Sequence, residues 1–145
     1  MAFNGQTLLI LDDIGVPLYS ARGLKQTLSL IDQAKQLRRT INGALDDLSQ
    51  PQFQKFQSKI SCTDFQAPAF DGLEIGRLVT VECVCELTYK TSGGSPSRAV
   101  VSGSSRTIGN FTAYRPVLAM RVTDFEIDCD EWNHDTGWTL SLEEI

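Results

Sequence analysis

The chain has 145 residues, 41% of them hydrophobic and 21% charged, with a net charge of −5 and a pI near 4.8. That length and apolar content suffice for one sizeable core, so a single β domain spanning 1–145 is expected. The acidic balance lacks the basic surplus that tracks a phosphate backbone, which argues against sequence-specific nucleic-acid binding, and no stretch approaches the roughly 18 apolar residues of a membrane span.

The first residues, "MAFNGQTLLILDDIGV", have no basic region ahead of the apolar run, and that run ends at Asp12-Asp13. This does not read as a secretion signal, and folding in a cytoplasm is expected. In "GLKQTLSLIDQAKQL", Leu24, Leu28 and Ile31 have helical spacing, whereas Leu24, Gln26, Leu28 and Leu30 alternate. Strand is the preferred reading because a hairpin follows. That hairpin is "LRRTINGALDDLS": Asn42-Gly43 tolerates the two positive φ angles of a type I′ turn, so 37–41 pairs with 44–48. Arg38 and Arg39 then lie on opposite faces, which argues against a shared phosphate clamp, and Asp46 and Asp47 become cross-strand partners. "SQPQFQKF" predicts one short helical turn, with Ser49 as cap and Pro51 in the opening turn.

Beyond residue 55 the pattern is β. Phe56, Ser58, Ile60 and Cys62 share one face of a strand, with Lys55, Gln57 and Lys59 on the other. Residues 79–89 predict the clearest strand, since Val79, Val81, Cys83, Cys85, Leu87 and Tyr89 have one parity. The Gly/Ser-rich stretch 91–110 predicts a long connection able to order on a neighbour. "TAYRPVLAMRVTDFEIDCD" reads as a long strand or strand pair whose apolar phase flips near Thr123-Asp124, as a bulge or a bend between sheets produces. "NHDTG" should close a hairpin onto a final strand with Trp138, Leu140 and Leu142 on one face. The expected fold is therefore mainly β, an antiparallel barrel or sandwich with at most one short helix.

Chemistry-bearing patterns are sparse. Cys62, Cys83, Cys85 and Cys129 are scattered without a C-x-x-C. Alternation of Cys83 and Cys85 with Val and Leu fits core thiols. The sharper alternative is a small zinc- or thiol-dependent enzyme, in which Cys83, Cys85, Cys129 and His134 would converge. His134, the single histidine, sits in a polar turn, and no G-x-S-x-G, P-loop or G-x-G-x-x-G occurs. Asp124, Glu126, Asp128 and Asp130 alternate along a strand, as a solvated or partner-facing face does, although carboxylates so placed also suit acid/base work or a hard cation. A carbohydrate- or ligand-binding module built on Trp132, Trp138 and that acidic strand is the other alternative.

The wording and order of "LRRTINGALDDLSQPQFQKFQSKISCTDFQAPAFDG", "VTVECVCELTY", "YRPVLAMRVTDF" and "DEWNHDTGWTLSLEE" resemble small structural proteins of tailed bacteriophages. The likeness is to proteins encoded among tail and baseplate genes, tail-tube-like β-barrels and ripcord-type baseplate proteins, and it runs from about Leu8 to Glu144. It implies a ring or collar subunit around the tail tube that catalyses no reaction and needs no cofactor or metal. It further implies a ring-like homo-oligomer whose partners are tube, sheath or hub components. The location implied is the virion tail, assembled in the bacterial host cytoplasm, with no membrane contact. Interface candidates are Arg38 and Arg39 on the hairpin, Ser92, Gly93 and Gly94 in the long connection, and Phe111 and Trp132 at loop edges. The aromatics serve equally as plugs for the end of a barrel.

Overall fold

The computed structural model describes residues 9–11, 14–16, 23–132 and 135–145. It is mainly β, built around a curled antiparallel half-barrel sheet. In chain order the strands are β1 (Ile10–Leu11), β2 (Lys25–Leu30), β3 (Leu37–Arg39), β4 (Leu45–Asp47), β5 (Phe56–Asp64) and β6 (Leu78–Glu82). There follow β7 (Leu87–Lys90), β8 (Ala99–Val100), β9 (Arg106–Ile108), β10 (Phe111–Tyr114), β11 (Pro116–Cys129) and β12 (Thr136–Glu144). The main sheet has the order β1-β6-β11-β12-β5-β2, with β8 against β11; β7-β10-β9 form a small second sheet, and β3-β4 stand apart.

Alternation produces the main sheet's buried face. Ile60, Cys62, Val81, Leu118, Met120, Trp138, Leu140 and Leu142 all point one way and are buried there. Leu9, Leu11, Ile14, Phe70 and Leu73 cover them. Burying one such Leu or Ile is worth about 1.5–3 kcal/mol, which fixes the register, since a one-residue slip would turn every one of them outward. The expected phase flip is a bulge: Val122 pairs with Leu142 but Asp124 with Ser141, which leaves Thr123 as the surplus residue. The bulge returns Phe125 to the core side, where its ring lies 5.3 Å from that of Phe70. The β2 strand and the terminal β11–β12 hairpin also form as read from the alternation.

The expected continuous strand over 79–89 does not form. β6 belongs to the main sheet and β7 to the small one, with four residues, 83–86, between them. On the partner strands the same changeover takes only Arg115 and Pro116. Pro116 has no N–H to give to a ladder, so pairing breaks there, and the longer link kinks. Cys83 still donates its N–H to the Pro116 carbonyl at 3.1 Å, and stays in the core. Cys85 is only half-buried.

The kinked link closes the curled sheet. The Gln26 side chain on edge strand β2 accepts the Val84 N–H at 2.7 Å and the Cys85 N–H at 3.3 Å. Its amide nitrogen donates to the Ser58 hydroxyl at 3.0 Å, while the Cys85 thiol reaches the Gln26 carbonyl at 3.1 Å. One side chain thus ties the β2 edge to the far side of the sheet without strand pairing.

The connection over 91–110 is more structured than its composition suggests, since it carries β8 and β9. Arg98 makes a two-pronged ion pair with Glu144, at 2.8 and 3.0 Å, donates to the Gln54 carbonyl and lies over the Phe56 ring. A Cβ on Gly94 would stand 2.2 Å from the Lys90 carbonyl oxygen, so that turn requires glycine. Among the described residues two short 3-10 turns occur, at Asp32–Ala34 and at Pro51–Phe53. The second is the expected helical turn, but Gln50 rather than Ser49 precedes it, and no side chain caps it. Ser49 instead accepts the Gln36 N–H, at 3.2 Å.

Gln26→Ala is expected to lower stability by about 1–3 kcal/mol in urea melts, because two backbone donors lose their acceptor in a half-buried setting. Gln26→Glu, which keeps the acceptor, should cost clearly less; equal losses would assign the closure to something other than that acceptor.

Candidate assembly interface

The hairpin β3–β4 projects from the sheet as an arm. Every residue from 35 to 48 is exposed. Its pairs are Leu37 with Asp47, Arg38 with Asp46 and Arg39 with Leu45. This register is offset by one from that of the expected two-residue turn. The Gly43 N–H bonds to the Thr40 carbonyl at 2.9 Å and the Thr40 N–H to the Ala44 carbonyl at 2.7 Å, so the loop has three residues, 41–43. Gly43 holds φ +84. A three-residue loop needs positive φ only at its last position, so Asn42-Gly43 signalled the hairpin correctly and its length wrongly.

The arm's base is laced shut. The Ser49 hydroxyl and then its backbone N–H, the latter at 2.9 Å, bond the Asp47 carboxylate and hold its pKa below the usual value. Leu48 donates its N–H to the Gln36 carbonyl at 2.7 Å. Arg39 folds over the turn to donate to the Gly43 carbonyl at 3.1 Å, whereas Arg38 stands on the other face opposite Asp46. The two arginines are therefore not one anion clamp.

The aliphatic residues are what the reading from charge missed. Leu37 is 54% exposed, Leu45 50%, Leu48 55%, and Ile41 at the tip fully so. An isolated two-stranded hairpin is marginal in water and normally needs a third strand or a packed face. This arm has apolar side chains to cover, and none of the other described residues covers them.

The other expected interface residues lie elsewhere. Ser92, Gly93 and Gly94 form the turn after β7, and Phe111 is an exposed residue of the small sheet, directly opposite Ile108. Trp132, 90% exposed, stands at the far end of the β11–β12 hairpin. The structure therefore gives three separate patches and not one. Beneath Phe111, Thr112 shares its hydroxyl with Thr91 and Thr107, and Tyr89 meets Tyr114 edge-on at 5.9 Å.

An open cleft of about 520 Å³ lies on the polar face of the main sheet, lined by Lys25, Ser61, Thr63, Glu126, Asp128 and Thr139 among others. Trp138 borders it but is 2% exposed, its ring edge-on to Phe70 at 5.7 Å in the core. It offers no stacking platform to a sugar, unlike Trp132. The alternating carboxylates of β11 are exposed as expected. Among the described residues no three or more Cys, His, Asp and Glu gather as metal ligands. His134 lies outside those residues, while Cys83 and Cys129 flank opposite ends of β11, which spans about 40 Å at strand rise. They cannot share one ion. No helix among the described residues is long and apolar enough to cross a membrane.

Comparison of the chain with protein-family models, with curated proteins and with solved structures finds no match.

Burial pushes the Cys83 thiol up to about 12 and raises those of Cys62 and Cys85 as well. A thiol reagent should label exposed Cys129 quickly and the other three slowly, and Cys129→Ser should remove the fast phase. Between about pH 8.5, where a free thiol ionises, and 12, the unfolded chain binds fewer protons than the folded one, so stability should fall as pH rises. Cys83→Ala should flatten that alkaline decline in thermal melts; an unchanged slope would place its cause in other groups.

Proposed function

We propose that this chain is a structural subunit of a tailed-bacteriophage virion, one of several copies forming a ring or collar around the tail tube in the tail or baseplate region, and that it catalyses no reaction. The observation that carries this reading is the arm: an outstretched hairpin with four exposed aliphatic residues that none of the other described residues covers. Aliphatic surface of this kind is stabilised when another chain removes it from water. The resemblance of the sequence to tail and baseplate proteins supplies the setting, and the curled antiparallel sheet suits a tube- or collar-forming subunit. The partners on this reading are further copies of the chain and the tube, sheath or hub components beside it.

Immunogold labelling of purified tailed particles from cells carrying the gene should decorate the tail, and deleting the gene should abolish plaques until it is supplied in trans. Replacing 37–47 with a Gly/Ser linker should leave the melting temperature nearly unchanged, because the arm touches so little, yet fail to restore plaques. Particles that never contain the chain would sink the proposal.

A further inference from the structure

The arm has a counterpart at the opposite end of the same molecule. It leaves the sheet beside the Leu30–Phe56 pair, where β2 ends and β5 begins. The other end of β5, eight residues and about 26 Å away, is the Asp64–Thr136–Cys129 end. There Phe65 is 57% exposed, Ile127 46% and Trp132 90%, just beyond the cluster of buried Phe70 and Trp138 with half-buried Phe125. Each end thus carries exposed apolar side chains.

Charge decides how the two ends pair. Residues 123–135 carry six carboxylates and no Lys or Arg. The whole chain is −5, so everything outside that stretch sums to +1. Within 35–48, Lys35, Arg38 and Arg39 outweigh Asp46 and Asp47 by one positive charge. Two copies meeting acidic end to acidic end would set this carboxylate-rich stretch against its own copy, and like charges brought together across an interface repel. The arm meeting the acidic end brings apolar surface to apolar surface without that repulsion.

Building on the multi-copy reading above, we infer that the β3–β4 arm of one copy docks on the Phe65–Ile127–Trp132 end of the next, a head-to-tail contact between copies of this chain. Such a contact is heterologous: each molecule gives one surface and receives the other, and a ring results where the rotation between copies closes. Ile41 at the arm tip and Trp132 at the receiving end are its most exposed apolar anchors.

Sedimentation velocity of the full chain tests this with two variants. The arm variant is Ile41→Asp with Leu45→Asp, and the receiving variant is Trp132→Ala with Phe65→Ala; all four positions are at least half exposed, and melting curves should match wild type. Wild type should self-associate with rising concentration, and each variant alone about tenfold or more weakly. An equimolar mixture of the two should form two-chain complexes and stop there, because one intact surface of each kind remains. If wild type associates and both variants do so equally well, the head-to-tail inference falls while the multi-copy reading stands. If the variants stay monomeric even when mixed, the two surfaces are not partners and the inference falls. Wild type that stays monomeric while the chain is found in tails would assign the arm to a different protein, and one that is monomeric and absent from tails would overturn both.

Discussion

A single glutamine side chain closes this fold. The main sheet curls until its β2 edge faces the kinked link at 83–86, but strand pairing does not bridge the gap. Gln26 does so by accepting two backbone N–H groups and donating to Ser58. A carboxamide suits this position because it offers an acceptor and a donor on one planar group. Without it, the β2 edge and two kinked amides would compete for water beside a dry core, and an open edge invites pairing with other chains. Gln26 thus blunts the β2 edge by side-chain bonds where no strand covers it.

The kink itself follows from proline. Pro116 opens β11 and cannot donate to a ladder, so the sheet splits there into a main and a small sheet, and 83–86 must bend to follow. Cys83 keeps the inward parity of Val79 and Val81, and the bend after it turns the amides of Val84 and Cys85 toward Gln26. Arg98 does the corresponding work on the outside, fastening the long connection to Glu144, Gln54 and Phe56. Polar bonds made by few residues thus hold together elements that the alternating apolar pattern alone leaves separate.

Which parts were legible follows from this division. Runs whose parity is enforced by burial could be read from the sequence: β5, β11 with its bulge at Thr123, and β12 with Trp138, Leu140 and Leu142 inward. The break between β6 and β7 could not, because the parity of Val79 through Tyr89 persists across it while its cause sits more than thirty residues away in Pro116. The composition of 91–110 hid two short strands, whose pairing depends on partners in β10 and β11. In the arm, Asn42-Gly43 announced a turn, but the charges drew attention away from Leu37, Ile41, Leu45 and Leu48. Exposure is a tertiary property, and no local pattern marks a leucine that is left uncovered.

The arm and the sheet it springs from also belong to different timescales. β3 and β4 are joined by five residues, 40–44, and a local hairpin closes in about 1–10 μs. The main sheet relies on distant pairings such as Ile60 with Leu140, and folds dominated by such contacts take about milliseconds to seconds. An emerging chain therefore samples this hairpin transiently, and exposes its leucines, well before a core exists. Arg38, Arg39, Asp46 and Asp47, interleaved with the leucines, act in that interval as gatekeepers that discourage indiscriminate β-aggregation. The same charges that lace the folded arm, Asp47 to Ser49 and Arg39 to the Gly43 carbonyl, thus also keep its leucines from unselective pairing.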